Sequence, residues 1–535
     1  MTESPDSARI ACAEPEEERL FARISWRLLP FLFLLFSAAY LDRVNIGFAK
    51  LQMSADLGFS DTVYGFGAGI FFLGYFLFEV PSNLILHRVG ARLWIARIVA
   101  LWGVLSAATL WIETPSSFYF LRFLLGVGEA GLVPGVLYYL TLWYPADRQA
   151  RVVAMFMAAI PVSGVFGGPL SGLVMSGFDG AWGLRGWQWL FLVEGLPAIL
   201  LGIATLFILD DGPERARWLT AEEKSWLARR LANPGETRNH AAFGEALRSP
   251  AVWGFAGVYF LLVNGLYGIT FWMPQLLHDL DQGSFTATGW LTALPNAAAS
   301  IGMILVARHS DRTGERRYHF ACCALAGAAG YLILATMGVG SLGWSLAALA
   351  LAETGVIACL GVFWPMPSGL LAGRAAAGGL ALINAVGALG GYASPAALGW
   401  LKDATAQMSS GLFVVAAVLA AASWLCLRIT RQREALTISV DARAPAKPAT
   451  GTPCNGCGAC CAIRTCPLAR LRFRQLRGPC PALRWDEDGM LYRCGLLLSP
   501  EGHLPFLPVS LAGKLTARWI AAGIGCDSTI QIEEP

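Results

Sequence analysis

The stretch WRLLPFLFLLFSAAYLDRVNIGFAKLQM, residues 26–53, decides how this chain is read. Its first part is an apolar run of the length that crosses a bilayer as a helix, about 20 residues. Within and just beyond that run lie Tyr40, Asp42, Arg43 and Asn45. A charge inside a membrane helix is expensive, so where one persists it faces other helices or a polar path and marks a candidate site. Counted from Trp26, Asp42 lies roughly 24 Å along a helix axis, deep in the run or near its outer end. At the outer end the charges would simply reach for the interface. Asp42 and Arg43 point about 100° apart and need not pair, whereas Asn45 shares the face of Asp42.

Working outward, similar runs recur along all but the last hundred residues. They cover 27–47, 63–85, 93–112, 116–139, 150–173, 188–209, 251–274, 287–307, 319–338, 343–366, 378–400 and 411–429. Of the 535 residues, 55% are hydrophobic and 14% charged, against about 25% charged in a soluble domain. The fold class expected is therefore an all-α membrane protein of twelve helices with a small appended domain. The net charge of +3 gives no reason to expect nucleic acid as a partner. The acidic N-terminal segment lacks the basic region and cleavage site of a signal peptide, so the first run is read as a retained helix.

The charged segment between the sixth and seventh runs divides the bundle into two halves of six. The expected layout is a tail 1–25, a half 26–209, a central loop 210–250, a half 251–430, a linker 431–453 and a cysteine-rich domain 454–535. Lys and Arg favour one set of loops. It includes Arg88, Arg92, Arg148, Arg151, Arg308, Arg312, Arg316 and Arg317, while the opposite set holds Lys50, Arg185 and Lys402. Positive loops face the cytoplasm, which places both termini there. The loops NLILHRVGARLW and GMILVARHSDRTGERR occupy corresponding places in the two halves. Their Arg88, Arg92, Asp311 and Arg312 are candidates for a conformational latch at helix ends, and Arg316 and Arg317 for plain anchoring.

The fourth run, LRFLLGVGEAGLVPGVLYY, carries Arg122 and Glu129 two turns apart on one face, with Glu129 among small residues that let another helix approach. A structural Arg122–Glu129 ion pair is one reading, and a carboxyl that takes up and releases protons is the other. Glu79 and Glu353 read as gating or packing residues. The second half offers neutral polar or aromatic groups instead: Asn264, Tyr267, Trp272, Asn296, Trp364, Ser368 and Asn384. This asymmetry suggests that an arginine of the first half neutralises a substrate carboxylate, while Asp42 and Glu129 carry a coupling proton.

Three runs, YLDRVNIGFAKLQM, RFLLGVGEAGLVPGVLYYLTLWYP and FWPMPSGLLAGRAAAGGLALINAVGALGGY, resemble the anion:cation symporter family of the major facilitator superfamily. The likeness is greatest to the bacterial tartrate, phthalate and sugar-acid permeases, and it spans roughly residues 20–430. It implies a monomeric proton-coupled symporter of a small organic anion, working by alternating access in the inner membrane with no cofactor and no enzymatic activity. It also implies roles: Asp42 and Glu129 as the proton pair, with Arg122 setting the state of the glutamate. Arg43 takes the substrate carboxylate, and Tyr40 and Asn384 contact the substrate. Asn45, Tyr267 and Trp364 join the expected binding set from their own chemistry. The sequence departs from many relatives at Ala388, where an Asn is common. An efflux antiporter of the same fold, or a membrane-tethered metal or redox sensor with a non-transporting bundle, are the alternatives.

Eight of the 13 cysteines lie between Cys454 and the C-terminus. Cys454, Cys457, Cys460 and Cys461 form C-x2-C-x2-C-C, followed by Cys466, Cys480, Cys494 and Cys526. Thiolates at such spacing suit a soft metal ion, and a cytoplasmic location argues against disulfides. The run resembles the CxxCxxCC zinc- or iron-chelating domain, so zinc or iron is expected on Cys454, Cys457, Cys460, Cys461, Cys466, Cys480 and Cys494. An iron–sulfur cluster fits less well, because the spacing to Cys466-Pro467 departs from the ferredoxin pattern.

Overall fold

The computed structural model describes residues 5–231, 247–281, 283–337, 341–370, 375–431, 443–446, 455–458, 480–487 and 489–498. The chain forms two compact units, Met1–Ile429 and Thr430–Pro535.

In a bilayer every backbone polar group must find its partner inside the segment, so long apolar runs become helices. Among the described residues, twelve helices are long and apolar enough to cross a membrane. Spans 1–4 are Glu17–Leu57, Asp61–Leu86, Ala91–Trp111 and Pro115–Thr141. Spans 5–8 are Arg151–Gly177, Gly186–Ile208, Pro250–Asp281 and Phe285–Thr313. Spans 9–12 are Arg317–Thr336, Leu342–Ser368, Gly379–Thr405 and Met408–Thr430. Each contains one of the twelve expected runs or most of it. Span 1 outruns its run by nearly three turns at each end and span 7 by about two turns at its C-terminal end, because the helix continues through polar residues that the bundle, rather than lipid, receives. The outward faces are apolar: Trp26, Leu200, Phe207, Phe166 and Leu305 are exposed.

The two halves are related in their packing. Span 2 lies along span 11, and span 8 along span 5, so each half's second span rests on the other half's fifth. Within the halves, spans 2 and 4 match spans 8 and 10, and spans 1 and 5 match spans 7 and 11. Small residues make the close contacts. A Cβ on Gly126 of span 4 would sit 2.0 Å from the carbonyl oxygen of Phe71 in span 2. Immediately after Glu129 span 4 breaks, and Gly131 adopts φ +91° before the helix resumes at Leu132. Only glycine takes that left-handed conformation without strain.

An even number of spans returns the chain to its starting side. We call that side the termini end, and the side of the 58–60 and 406–407 turns the far end. In the second unit, β1 (Leu483–Asp486) and β2 (Leu491–Cys494) form an antiparallel hairpin pairing Leu483 with Cys494.

Candidate functional site: a charged cluster at the seam of two halves

The residues singled out on span 1 are buried inside the bundle, not at its rim. Asp42 and Asn45 are 1% and 0% exposed, and Tyr40 is buried as well. Helix continues for fifteen residues past Asp42 to Leu57, which excludes the reading that these charges reach an interface.

Asp42 and Arg43 diverge as helix geometry requires. Asp42 accepts from Ser106, from Trp102 Nε1 at 2.9 Å and from Asn45 Nδ2 at 3.3 Å. Arg43 points to the seam. One guanidinium nitrogen donates to Glu129 of span 4, and Nη1 donates to the hydroxyl of Tyr267 in span 7 at 3.2 Å. The guanidinium also lies over the rings of Phe71 and Tyr75, 5.4 and 5.6 Å from their centroids. Arg43 thus bridges a carboxylate of the first half and a phenol of the second.

The Arg122–Glu129 pair does not form. Arg122 donates through Nε to the Gly67 carbonyl at 3.4 Å and through Nη2 to that of Ala68 at 3.5 Å, with its guanidinium over Phe71. Two turns on one helix aligned the side chains, but span 1 comes closer to Glu129 and supplies the partner. Glu129 Oε2, Arg43 Nε and Arg122 Nη1 are buried without a hydrogen-bond partner among the described residues.

Beyond Arg43, Glu79 lies inside span 2 and accepts from Asn384 Nδ2 of span 11 at 2.8 Å. Asn384 is therefore engaged across the seam. Tyr267 packs on Phe72 and Phe271, with ring centroids 4.4 and 5.4 Å apart. Trp364 closes this aromatic wall against Tyr259 at 4.9 Å. Asn264 and Asn296 donate to carbonyls of their own helices, Phe260 and Thr292, and so serve helix packing. Glu353 is buried in span 10.

Two ionisable groups not expected from the sequence join this picture. Glu194 of span 6 is buried and accepts from Asn45 Nδ2 at 2.9 Å and Ser171 Oγ at 3.3 Å. A lone Glu in the apolar run LFLVEGLPAILL carries the same signal that picked out Glu129. Lys50, assigned to a loop, is 2% exposed within span 1. Its ammonium donates to Asp61 at 2.6 Å and to Gln275 of span 7 at 3.1 Å, and lies 4.1 Å from the centroid of a Trp272 ring.

Lys50 belongs to a closure of the far end. Asp61 also pairs with Lys402 of span 11 at 2.9 Å. The amides of Asp61 and Thr62 donate to Asp403 at 3.3 and 2.7 Å, and Tyr64 donates to the Phe271 carbonyl at 2.9 Å. All of these bonds cross between the halves. Nearby, the loop before span 6 is pinned by Asp179. Burial pulls its carboxyl toward protonation, but the Gly186 N–H, Gln52 and Arg185 outweigh this and hold it below the usual range.

At the termini end the proposed latch residues are disposed differently. Arg92 donates its backbone N–H to Asp211 at 3.0 Å, and Arg88 and Arg312 are exposed. Asp311 pairs locally with Arg316 at 2.8 Å, and Arg317 donates to the Leu427 carbonyl of span 12 at 2.8 Å. Arg316 and Arg317, expected to be plain anchors, thus make the specific contacts.

In the second unit, Cys480 and Cys494 pack with Ala482, Leu483 and Leu496, and Cys457 is buried, its N–H bonded to Asn455. Cys454, Cys460, Cys461 and Cys466 lie outside the described residues. Among the described residues no three His, Cys, Asp or Glu side chains converge as metal ligands.

Relatives place this arrangement. A protein of Agrobacterium vitis named "Putative tartrate transporter" is 47% identical over 78% of this chain and 92% of its own length. A "Quinolone resistance transporter" of Acinetobacter baumannii is 41% identical over 75% of the chain and 93% of its own length. Among solved structures, a bacterial homologue of the human lysosomal transporter Spinster, in an inward-facing unoccupied conformation, superposes with a TM-score of 0.62 at 18% identity. That match covers 75% of this chain and 96% of that one, and it speaks to the fold. The profile of the Major Facilitator Superfamily matches residues 32–395. With its twelve spans in two related halves, the chain belongs to the major facilitator superfamily, a family of membrane transporters and not of enzymes.

Proposed function

We propose that the chain is a secondary transporter that couples protons to the uptake of a small organic anion by alternating access. The observation that supports this most is the bridging of Arg43, between Glu129 in the first half and Tyr267 in the second. Its side chain is 13% exposed, the Glu129 side chain 1%. A carboxylate arriving at the seam competes with Glu129 for the guanidinium fork, since both bind it in the same way. A proton on Glu129 ends its claim on Arg43 and frees the fork. Proton and anion thus enter together, and neither alone satisfies the cluster. Tyr40, Asn45, Arg122, Trp364 and Asn384 surround this exchange as binding or positioning groups, and Asp42 is the second proton carrier.

Alternating access needs one end closed while the other opens. The Lys50–Asp61–Lys402 cluster serves as the far-end gate, and the basic loops at the termini end serve as latch and anchors. The reading places the chain as a monomer in the inner membrane with both termini cytoplasmic. Substrate candidates are hydroxy diacids, sugar acids and aromatic carboxylates, the first in keeping with the name of the Agrobacterium relative. The name of the Acinetobacter relative supports a second reading, proton-driven efflux through the same fold.

Uptake by the purified protein in proteoliposomes separates the two. An inward proton gradient should drive accumulation of at least one anion from a panel of tartrate, hexonates and aromatic acids. Proton-driven movement of the anion into the proton-rich side would replace symport by efflux antiport. For the second unit we propose a soft-metal module, zinc or iron, that completes its ligand set from the other tail cysteines. Full-length protein purified anaerobically should then carry stoichiometric metal, and Cys457→Ser should lower it. Metal-free protein would contradict this.

A further inference from the structure

The proposed proton pair, Asp42 and Glu129, leaves Glu194 without a task. It is a carboxyl group, 7% exposed, in the interior of span 6. Glu129 has the Arg43 guanidinium, but both donors to Glu194, Asn45 and Ser171, are neutral. Among the described residues, the neighbours of span 6 bring Glu194 no countercharge. Span 3 holds no ionisable side chain between Arg97 and Trp111, span 5 none between Arg151 and Gly177, and span 6 itself no other. On span 1, Arg43 points to Glu129 and Lys50 to the far-end cluster. What span 1 brings toward Glu194 is another carboxyl, Asp42, reached through the same Asn45 amide nitrogen at 3.3 Å, and Asp42 in turn lies within electrostatic range of Arg122 and Glu129 of span 4.

One amide nitrogen, with its two N–H bonds, thus serves two carboxyl groups. A buried charge without a countercharge neutralises rather than pay its desolvation, and two carboxyls sharing a site do not both ionise at low cost. The other end of the amide supplies an independent observation. Asn45 Oδ1 is buried and accepts no hydrogen bond from the described residues. The amide oxygen is an acceptor left open beside the two carboxyls.

We propose that Glu194 is a proton-binding group of the transport cycle, joined to Asp42 through the Asn45 amide. The two carboxyls form one coupled site, which holds two protons when loaded and one after release. On release one carboxyl O–H bond breaks, water takes the proton, and an Asn45 N–H donates to the ionised member while the other keeps its proton. This deepens the proton-coupled reading and rests on it. Glu194 acts as a positioning group, because it sets the pH range over which Asp42 exchanges its proton.

The test is infrared difference spectroscopy of the full-length protein in lipid, titrated with buffer alone, reading the carbonyl stretch of protonated carboxyl groups. At neutral pH the wild-type protein should show a buried protonated-carboxyl band that Glu194→Gln removes. In Asp42→Asn the pH at which this band disappears should move by about one unit or more, the signature of a coupled pair. Ser171→Ala should shift the frequency of the same band, so a poorly folding Glu194→Gln does not leave the matter open. A band unchanged in both Glu194→Gln and Ser171→Ala, or a midpoint indifferent to Asp42→Asn, overturns the proposal. The measurement needs no substrate. Failure of proton-driven uptake would remove the symport reading and leave the Glu194 band in place. Failure of the band assignment would remove the coupled pair and leave symport through Glu129 standing.

Discussion

Replacing Asp61 by Asn should unlock the far end of the bundle. Asp61 stands between two ammonium groups, Lys50 at 2.6 Å and Lys402 at 2.9 Å, one from each half. A hydrogen bond to a charged group contributes about 1.5–3 kcal/mol. Asp61 is 22% exposed, so solvent screens part of this and we count one such bond, not two. Opening the far end parts Asp61 from Lys402 of the other half, while Lys50, of the same half as Asp61, can keep its pairing in both states. The loss therefore falls on the closed state alone. At 1.4 kcal/mol per factor of ten, the closed-to-open ratio drops roughly 10- to 150-fold. The reporter is the amide of Thr62, which donates to Asp403 across the seam at 2.7 Å. Hydrogen exchange in the peptides covering residues 58–66 and 399–406 should accelerate by that factor in Asp61→Asn. The peptides around 84–92 and 308–317 should not accelerate. Unchanged exchange at Thr62 would refute the assignment of this cluster as a gate.

Two further outcomes follow from the same contacts. Arg43→Lys keeps a positive charge but loses the planar fork that reaches Glu129 and Tyr267 together. It should raise the transport KM by about 10- to 100-fold, one charge-assisted bond's worth, and an unaltered KM would mean the anion binds elsewhere. Gly126→Ala places a methyl 2.0 Å from the Phe71 carbonyl oxygen. Overpacking of this kind costs about 1–3 kcal/mol or more, so a markedly lower Tm or an aggregated gel-filtration profile is expected, and a wild-type profile would show that spans 2 and 4 can part at no cost.

Much of this was legible in the residues because membrane helices write their length and their exceptions openly. Twelve apolar runs became twelve spans, and the cost of a charge in lipid singled out Asp42, Arg43 and Glu129. What the sequence hid was partnership. Arg122 and Glu129 share a helix face, yet Glu129 meets Arg43, 86 residues away. Nothing local predicts which helix comes closest. Lys50 was misplaced because the apolar run ends before the helix does. Its ammonium is sheltered by Trp272 and Gln275, more than two hundred residues on. Glu194 was within reach of the rule that found Glu129, but it stands alone in its span, and its partner Asn45 lies 149 positions earlier. Asn384 looked like a free ligand until span 11 brought it to Glu79.

The measurement that tests the central claim most directly compares two assays on Glu129→Gln in proteoliposomes. A permanently neutral side chain at this position leaves Arg43 free for the anion but no longer exchanges a proton. Accumulation against a concentration gradient, driven by an imposed pH difference, should be lost, while exchange of labelled for unlabelled anion across the membrane persists. Full pH-driven accumulation by Glu129→Gln would contradict the account.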